Sequence, residues 1–239
     1  MNPDKICAYL DAMPLGTDDD RVLAALEALE RVLPGVRLDR TMPKPFKEVI
    51  VTDRRKFVAD TLQQDEIAVL YAGTGPTAVN TFTNQSYPVV SACGQPLLEF
   101  QFTLAPMYTD RAAAALVAAG DACAALHGYA VPSDAWEVMG EQKYAPPLGL
   151  PLIKFPKELP SPYSPMFIGW LNYWSPEAAA RFHFPDGPGF DELRARAKKT
   201  PAGAWLVQLT DEPLDMANPA HVDVLRRAYA VTRIGSGEV

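Results

Sequence analysis

Three histidines (His127, His183 and His221), three cysteines (Cys7, Cys93 and Cys123) and an acidic triplet (Asp18, Asp19 and Asp20) are the side chains whose spacing could reveal chemistry. The histidines lie far apart and no H-E-x-x-H joins them, so no zinc-hydrolase site is written locally. The cysteines are odd in number and contain no C-x-x-C pair, which suits thiols in a reducing compartment better than a disulfide framework. Three successive aspartates point in three directions around a helix and cannot converge on one ion. They read instead as a first helical turn behind a Thr17 cap, where negative charge complements the helix dipole. There is no G-x-S-x-G elbow and no P-loop. "GTGPTA", from Gly73, matches the dinucleotide fingerprint letter for letter. However, the strand and turn formers "VNTFTNQSYP" follow it where a helix N-terminus would have to meet the pyrophosphate. Gly73 to Thr77 therefore read as a tight turn between antiparallel strands. No cofactor or metal is expected. A site built from Asp and Glu alone remains open, because paired carboxylates leave no local motif.

Those side chains need a scaffold, and 239 residues with 48% hydrophobic and 21% charged composition suffice for one domain with a substantial core. The formal net charge of -7 disfavours nucleic acid and anionic membrane and favours a basic partner. "MNPDKICAYLDAMPL" has too short an apolar run for a secretory signal, and no stretch reaches the ~20 apolar residues of a membrane helix, so a cytoplasmic location is expected.

The patterning predicts an α+β fold, a mostly antiparallel sheet with helices packed on it in a single domain. "KICAYLDA" reads as a strand; Val22, Leu26, Leu29 and Leu33 recur at helical spacing until Pro34 and Gly35. Strands are expected near Val36–Asp39, near Glu48–Thr52 and at "IAVLYA", with a helix from about Asp53 to Gln63. In "QPLLEFQFTLAP", Leu98, Phe100, Phe102 and Leu104 alternate with Glu99, Gln101 and Thr103, the pattern of a strand with core on one side and water or a partner on the other. The alanine-rich run from about Thr109 predicts a helix that neighbours can approach closely, with His127 at its end. Seven prolines between Glu141 and Met166 exclude a long regular element, and the leucines among them predict a connector over 141–166 that wraps along a single domain spanning 1–239.

In "MFIGWLNYWS" both strand faces are largely apolar, which predicts a central strand ending at a Ser175 cap with Pro176 at the first helical position. "FDELRARAKK" reads as a short helix ending at Lys198 and Lys199, "AWLVQLT" as an apolar strand, and Asn218 with Pro219 as the start of a last helix bearing Val222, Leu225 and Tyr229 on one face. Asn172 and Gln208 interrupt apolar strands. They can bond to each other or to a loop, or can contact a partner. With Trp174 at its strand's end, they are the candidate partner-binding residues.

These C-terminal elements also carry a resemblance. "GWLNYWSPE", followed about thirty residues later by "GAWLVQLTDEPLDMANPAHVDVLRRAY", resembles the closing signature of the immunity-52 family of bacterial polymorphic-toxin immunity proteins. The matching positions are Gly169, Trp170, Ser175, Gly203, Leu209, Thr210, Asn218, Pro219 and His221. A related type VI secretion immunity group shares the Gly-Trp-Leu strand, and a bacterial family of unknown function is similar over more of the length. The resemblance implies a non-enzymatic protein that binds a cognate toxin and blocks it, with no catalytic residues. A small-molecule binder or carboxylate-only enzyme, and an accessory protein of a secretion system, are the alternatives.

Overall fold

Alternating burial along β1 (Ile6–Ala12) sets the plan of the molecule: Ile6, Ala8, Leu10 and Ala12 are buried, whereas Cys7, Tyr9 and Asp11 are only partly so. The computed structural model describes residues 5–16, 18–42, 47–64, 66–72, 79–86, 94–141 and 161–234. After β1 come α1 (Arg21–Val32), β2 (Arg40–Thr41), β3 (Val49–Ile50), α2 (Arg54–Gln63), β4 (Ala68–Ala72), β5 (Val79–Ser86) and β6 (Leu97–Leu104). A 3-10 turn (Pro106–Arg111) leads into α3 (Ala112–Ala122), β7 (Ala125–Pro132) and α4 (Ser133–Glu141). The C-terminal part holds β8 (Leu171–Trp174), α5 (Pro176–Arg181), α6 (Asp191–Ala195), β9 (Ala197–Lys199), β10 (Trp205–Gln208) and α7 (Pro219–Thr232).

The strands form one ten-stranded sheet in the order β3-β2-β4-β5-β6-β1-β7-β8-β10-β9, and every neighbouring pair is antiparallel. This is the α+β architecture that the patterning predicts, with the strands around Phe100, Leu171 and Val207 in a common sheet. On its inner face Leu10, Phe100, Phe102 and Leu104 are buried with Leu26 and Leu29 of α1 and Leu116 of α3. Close approach there depends on small residues. A Cβ at Gly120 of α3 would lie 2.8 Å from the Tyr173 ring, and one at Gly128 of β7 would lie 2.5 Å from the Tyr9 carbonyl oxygen.

Several boundaries differ from the sequence reading. α1 starts at Arg21, so the aspartates precede it: Asp18 turns the chain at φ 57°, and Asp19 accepts hydrogen bonds from Arg21 and the Gly16 amide. Thr17 lies outside the described residues. Val36–Asp39 is not a strand; the pairing begins at Arg40. The alanine helix stops at Ala122, because Ala124 adopts φ 51° and sends the chain back into the sheet. His127 is therefore in mid-strand and not at a helix end. Lys198 and Lys199 belong to the edge strand β9, where exposed lysines discourage further pairing. α4 was not anticipated. In "MFIGWLNYWS" the ladder begins only at Leu171, because the Asn172 amide bonds both backbone groups of Gly169 and holds a turn there. The turn over Gly73–Thr77 and residues 142–160 of the proline-rich connector lie outside the described residues. The strands that flank the former, β4 and β5, are antiparallel, as expected.

Candidate partner-binding face

The outer face of the sheet is read from register. Phe82, Gln101, Tyr9, Tyr129 and Asn172 form one row across β5, β6, β1, β7 and β8. Asn84, Glu99, Asp11, His127 and Trp174 form the next, and Asn80, Thr103, Cys7 and Val131 a third. Each row runs from exposed or partly exposed side chains on β5 and β6, all polar but Phe82, to buried ones on β7 and, in the first two rows, β8. The gradient follows from which elements cover the face. Trp136 of α4 stacks on Tyr9 and Tyr129 with ring centroids 5.1 and 5.8 Å apart, and Phe167 lies 5.4 Å from Trp136. Beyond β7, Phe182, Phe184 and Phe190 from α5 and the following segment close over the sheet. Over β5 and β6 the outer side chains stay at least partly exposed except Leu97, and Phe82 reaches 39% exposure.

Two of the three sequence-proposed partner residues sit at the covered end of these rows. Trp174 is 0% exposed, its ring 4.8 Å from Phe182 and 5.3 Å from Phe184, and its indole N–H has no partner among the described residues. Asn172 is equally buried. Its Oδ1 accepts from the Gly169 amide and its Nδ2 donates to the carbonyls of Gly169 and Val207. Gln208 pairs with Leu171 in register, putting it in a row apart from Asn172, and donates to the Thr210 and Asp211 carbonyls. The two amides thus bond to loops and not to each other.

The pair missed from sequence is Asp11 with His127, 116 residues apart in the chain and directly opposed in the sheet. His127 Nδ1 lies 3.5 Å from Asp11 Oδ2, and its Nε2 lies 3.1 Å from the Pro162 carbonyl oxygen. Loss of hydration pushes the Asp11 carboxyl up to about 7 although 29% of that side chain still meets solvent, and fuller burial pushes the imidazole down to about 4. A carboxyl poised near neutrality with Glu99 opposite it on β6 has the makings of an acid or base. The imidazole is less available, since Nε2 is committed to a backbone carbonyl. No local signal marks this pair, because its proximity is made by register alone.

The remaining candidates have structural roles or stand apart. His221 Nδ1 accepts from the Asp215 amide at 3.0 Å, and His183 is exposed at φ 61°. Burial drives the Cys123 thiol up to about 12, far from a reactive thiolate. Cys7 is half-buried, its thiol also pushed up by burial, and Cys93 lies outside the described residues. Among the described residues no group of three or more His, Cys, Asp or Glu could hold a metal ion, and no helix is long and apolar enough to cross a membrane. Two surface grooves involve none of the outer-face residues. One of about 340 Å³ lies between α6 and α7, where Arg227 and Glu192 satisfy each other, and one of about 550 Å³ surrounds His183.

The profile of a domain of unknown function, DUF5953, matches residues 17–237. No curated protein matches the sequence. Among solved structures, the Pseudomonas aeruginosa T6SS protein PA0821 is similar in fold, with a TM-score of 0.59 at 17% identity, over 96% of this chain and 73% of that one.

Proposed function

The chain belongs to the DUF5953 family, and from that premise we propose that it is a non-enzymatic immunity protein, acting in the cytoplasm, that binds and neutralises a cognate bacterial toxin. The single observation that carries this reading is the uneven covering of the sheet's outer face, which leaves polar and aromatic side chains of β5, β6 and β1 at least partly exposed. The net charge of -7 suits a basic protein partner. The fold likeness to a T6SS protein supports a secretion context.

The immunity-52 signature positions are consistent with a scaffold. Ser175 Oγ accepts from the Ala178 amide, and Asn218 Oδ1 accepts from Ala220 with Pro219 at the first helical position. Gly203 turns at φ 87°, and the Trp170 indole donates to the Thr210 carbonyl. They fix strand ends and helix starts, and the binding surface is assigned elsewhere.

A second reading, a small-molecule binder or carboxylate-only enzyme, draws on Asp11 facing Glu99. The deciding experiment is co-expression with a toxin domain from a neighbouring reading frame, paired with a pull-down at low and high salt. Glu99→Lys and Gln101→Lys should weaken the complex and abolish protection without lowering the melting temperature, while His183→Ala, away from the outer face, should protect fully. A folded, toxin-binding His or Cys variant that fails to protect would overturn the binding-only mechanism in favour of catalysis.

A further inference from the structure

We infer that a proton shared by Asp11 and His127 fastens the 161–164 turn onto the outer face of the sheet, and that losing it at alkaline pH frees the turn and uncovers Leu97 and Leu126. His127 lies between two acceptors, the Pro162 carbonyl oxygen at 3.1 Å from Nε2 and Asp11 Oδ2 at 3.5 Å from Nδ1. A carbonyl oxygen can only accept, so Nε2 must carry a hydrogen. In a neutral imidazole that leaves a lone pair on Nδ1, so the contact with Asp11 needs a second proton, either on the carboxyl or on Nδ1. Once the carboxyl ionises with the imidazole neutral, a single proton serves two acceptors. Bonds to charged groups are the stronger ones. The proton therefore moves to Nδ1, and the bare Nε2 faces the Pro162 carbonyl.

Among the described residues few other bonds hold the turn. Internally it is tied by the Ser164 amide to the Ser161 carbonyl, 2.9 Å, and by the Tyr163 amide to Ser161 Oγ, 3.3 Å. Ser164 Oγ is buried with no partner among the described residues. Its packing is a small satellite cluster in which Tyr163 lies against Leu97 and Leu126, the latter displaced from the regular ladder by the β1–β7 register shift at Asp11 and Ala12.

Among the described residues, the other charged and titratable groups around the pair are Glu99 opposite Asp11 on β6, Tyr9 on β1, Tyr129 on β7, Cys123 after α3, Arg21 at the start of α1 and Tyr163 on the turn itself. The Arg21 guanidinium is engaged by Asp19 and by the carbonyls of Met13 and Pro14. Trp174, opposite His127 on β8, is uncharged. Burial places the loss of the second proton near pH 7, since the Asp11 carboxyl is pushed up to about 7.

This is a property of the free chain and holds whether or not a toxin occupies the face. It is tested by amide hydrogen exchange at Ser164 between pH 5.5 and 8.5, corrected for the intrinsic base-catalysed rate, together with the nitrogen chemical shifts of His127. In the native protein the Ser164 protection factor should fall about tenfold, the loss of roughly one hydrogen bond, as the imidazole proton passes from Nε2 to Nδ1. In Asp11→Asn the carboxamide N–H donates to Nδ1 at every pH, so protection should stay at its acidic value. Protection that is flat with pH in the native protein, or an Asp11→Asn variant that loses it as the native protein does, would overturn the inference. Should Asp11→Asn fail to fold, a native His127 that keeps its proton on Nε2 up to pH 8.5 overturns it alone.

Discussion

β8 and β6 belong to the same sheet and are both rich in large side chains, yet they live in different surroundings. All four residues of β8 are buried, with the Tyr173 ring against α3 on one side and Trp174 under Phe182 and Phe184 on the other. On β6, Phe100, Phe102 and Leu104 are buried on the inner face, while Glu99, Gln101 and Thr103 beside them stay partly exposed. One half of the sheet is filled like the centre of a sandwich, and the other half is a platform. A side chain's contribution therefore depends on which half and which face it occupies more than on its chemical type.

The sharpest test of that contrast removes side chain from the filled half. Leu171 is 0% exposed in a strand with neighbours on both sides, so Leu171→Ala should cost about 2–5 kcal/mol, the sum of lost transfer energy and an unfilled cavity. Chemical denaturation measures it. A cost below about 1 kcal/mol would mean that β8 relaxes freely and that the two halves do not differ as described.

How much of this contrast the sequence carried depends on how local each cause is. The period-two alternation of Leu98 to Leu104 and the largely apolar faces of "MFIGWLNYWS" state directly whether one or two faces are covered, so both strands were legible, the second with its start placed four residues early. The Ser175 and Asn218 caps were also legible, because each cap bonds an amide two or three residues away. What failed needed tertiary context. Ala124 carries no glycine-like signal for its left-handed turn, so the helix reading ran on through His127. The Asp11–His127 pair depends on a register joining strands that are 116 residues apart. Trp174 was nominated as a partner contact from its place at a strand's end, and its surroundings are supplied by Phe182 and Phe184 folding back over it.

A second test lies at the boundary between the halves and gives effects of intermediate size. The folded Asp11 carboxyl is held up to about 7, above its ordinary value near 4. Its contribution is complete below that ordinary value and is lost as pH rises through 7. His127 is held down to about 4 from about 6.5, so its contribution is complete above 6.5 and is lost as pH falls through 4. Between about 4 and 6.5 the two slopes oppose each other, and the native protein should show a nearly flat urea midpoint. His127→Gln should expose a stability that falls from pH 4 to 7, and Asp11→Asn one that rises from pH 4 to 6.5. Each slope should stay below about 1.4 kcal/mol per pH unit, the limit for one proton. Two single variants with slopes of the same sign would remove the assignment of opposite shifts.

The smallest expected effect bears hardest on the platform. Phe82 is 39% exposed and stands in register between Val69 of β4 and Gln101 of β6. A phenylalanine of the core, such as Phe100 at 0% exposure, should cost about 3–5 kcal/mol when cut to alanine. Phe82 keeps part of its ring in water in the folded state, and an exposed cross-strand pair is worth only about 0.2–1 kcal/mol. Phe82→Ala should therefore change stability by less than about 1 kcal/mol, and the partly exposed Gln101→Ala by about 0.5 or less. Measured in one denaturant series beside Phe100→Ala, the three values rank the two faces of the same half-sheet. If Phe82→Ala cost as much as Phe100→Ala, the outer face over β5 and β6 would be a covered core in solution, and a partner could reach it only by displacing what covers it.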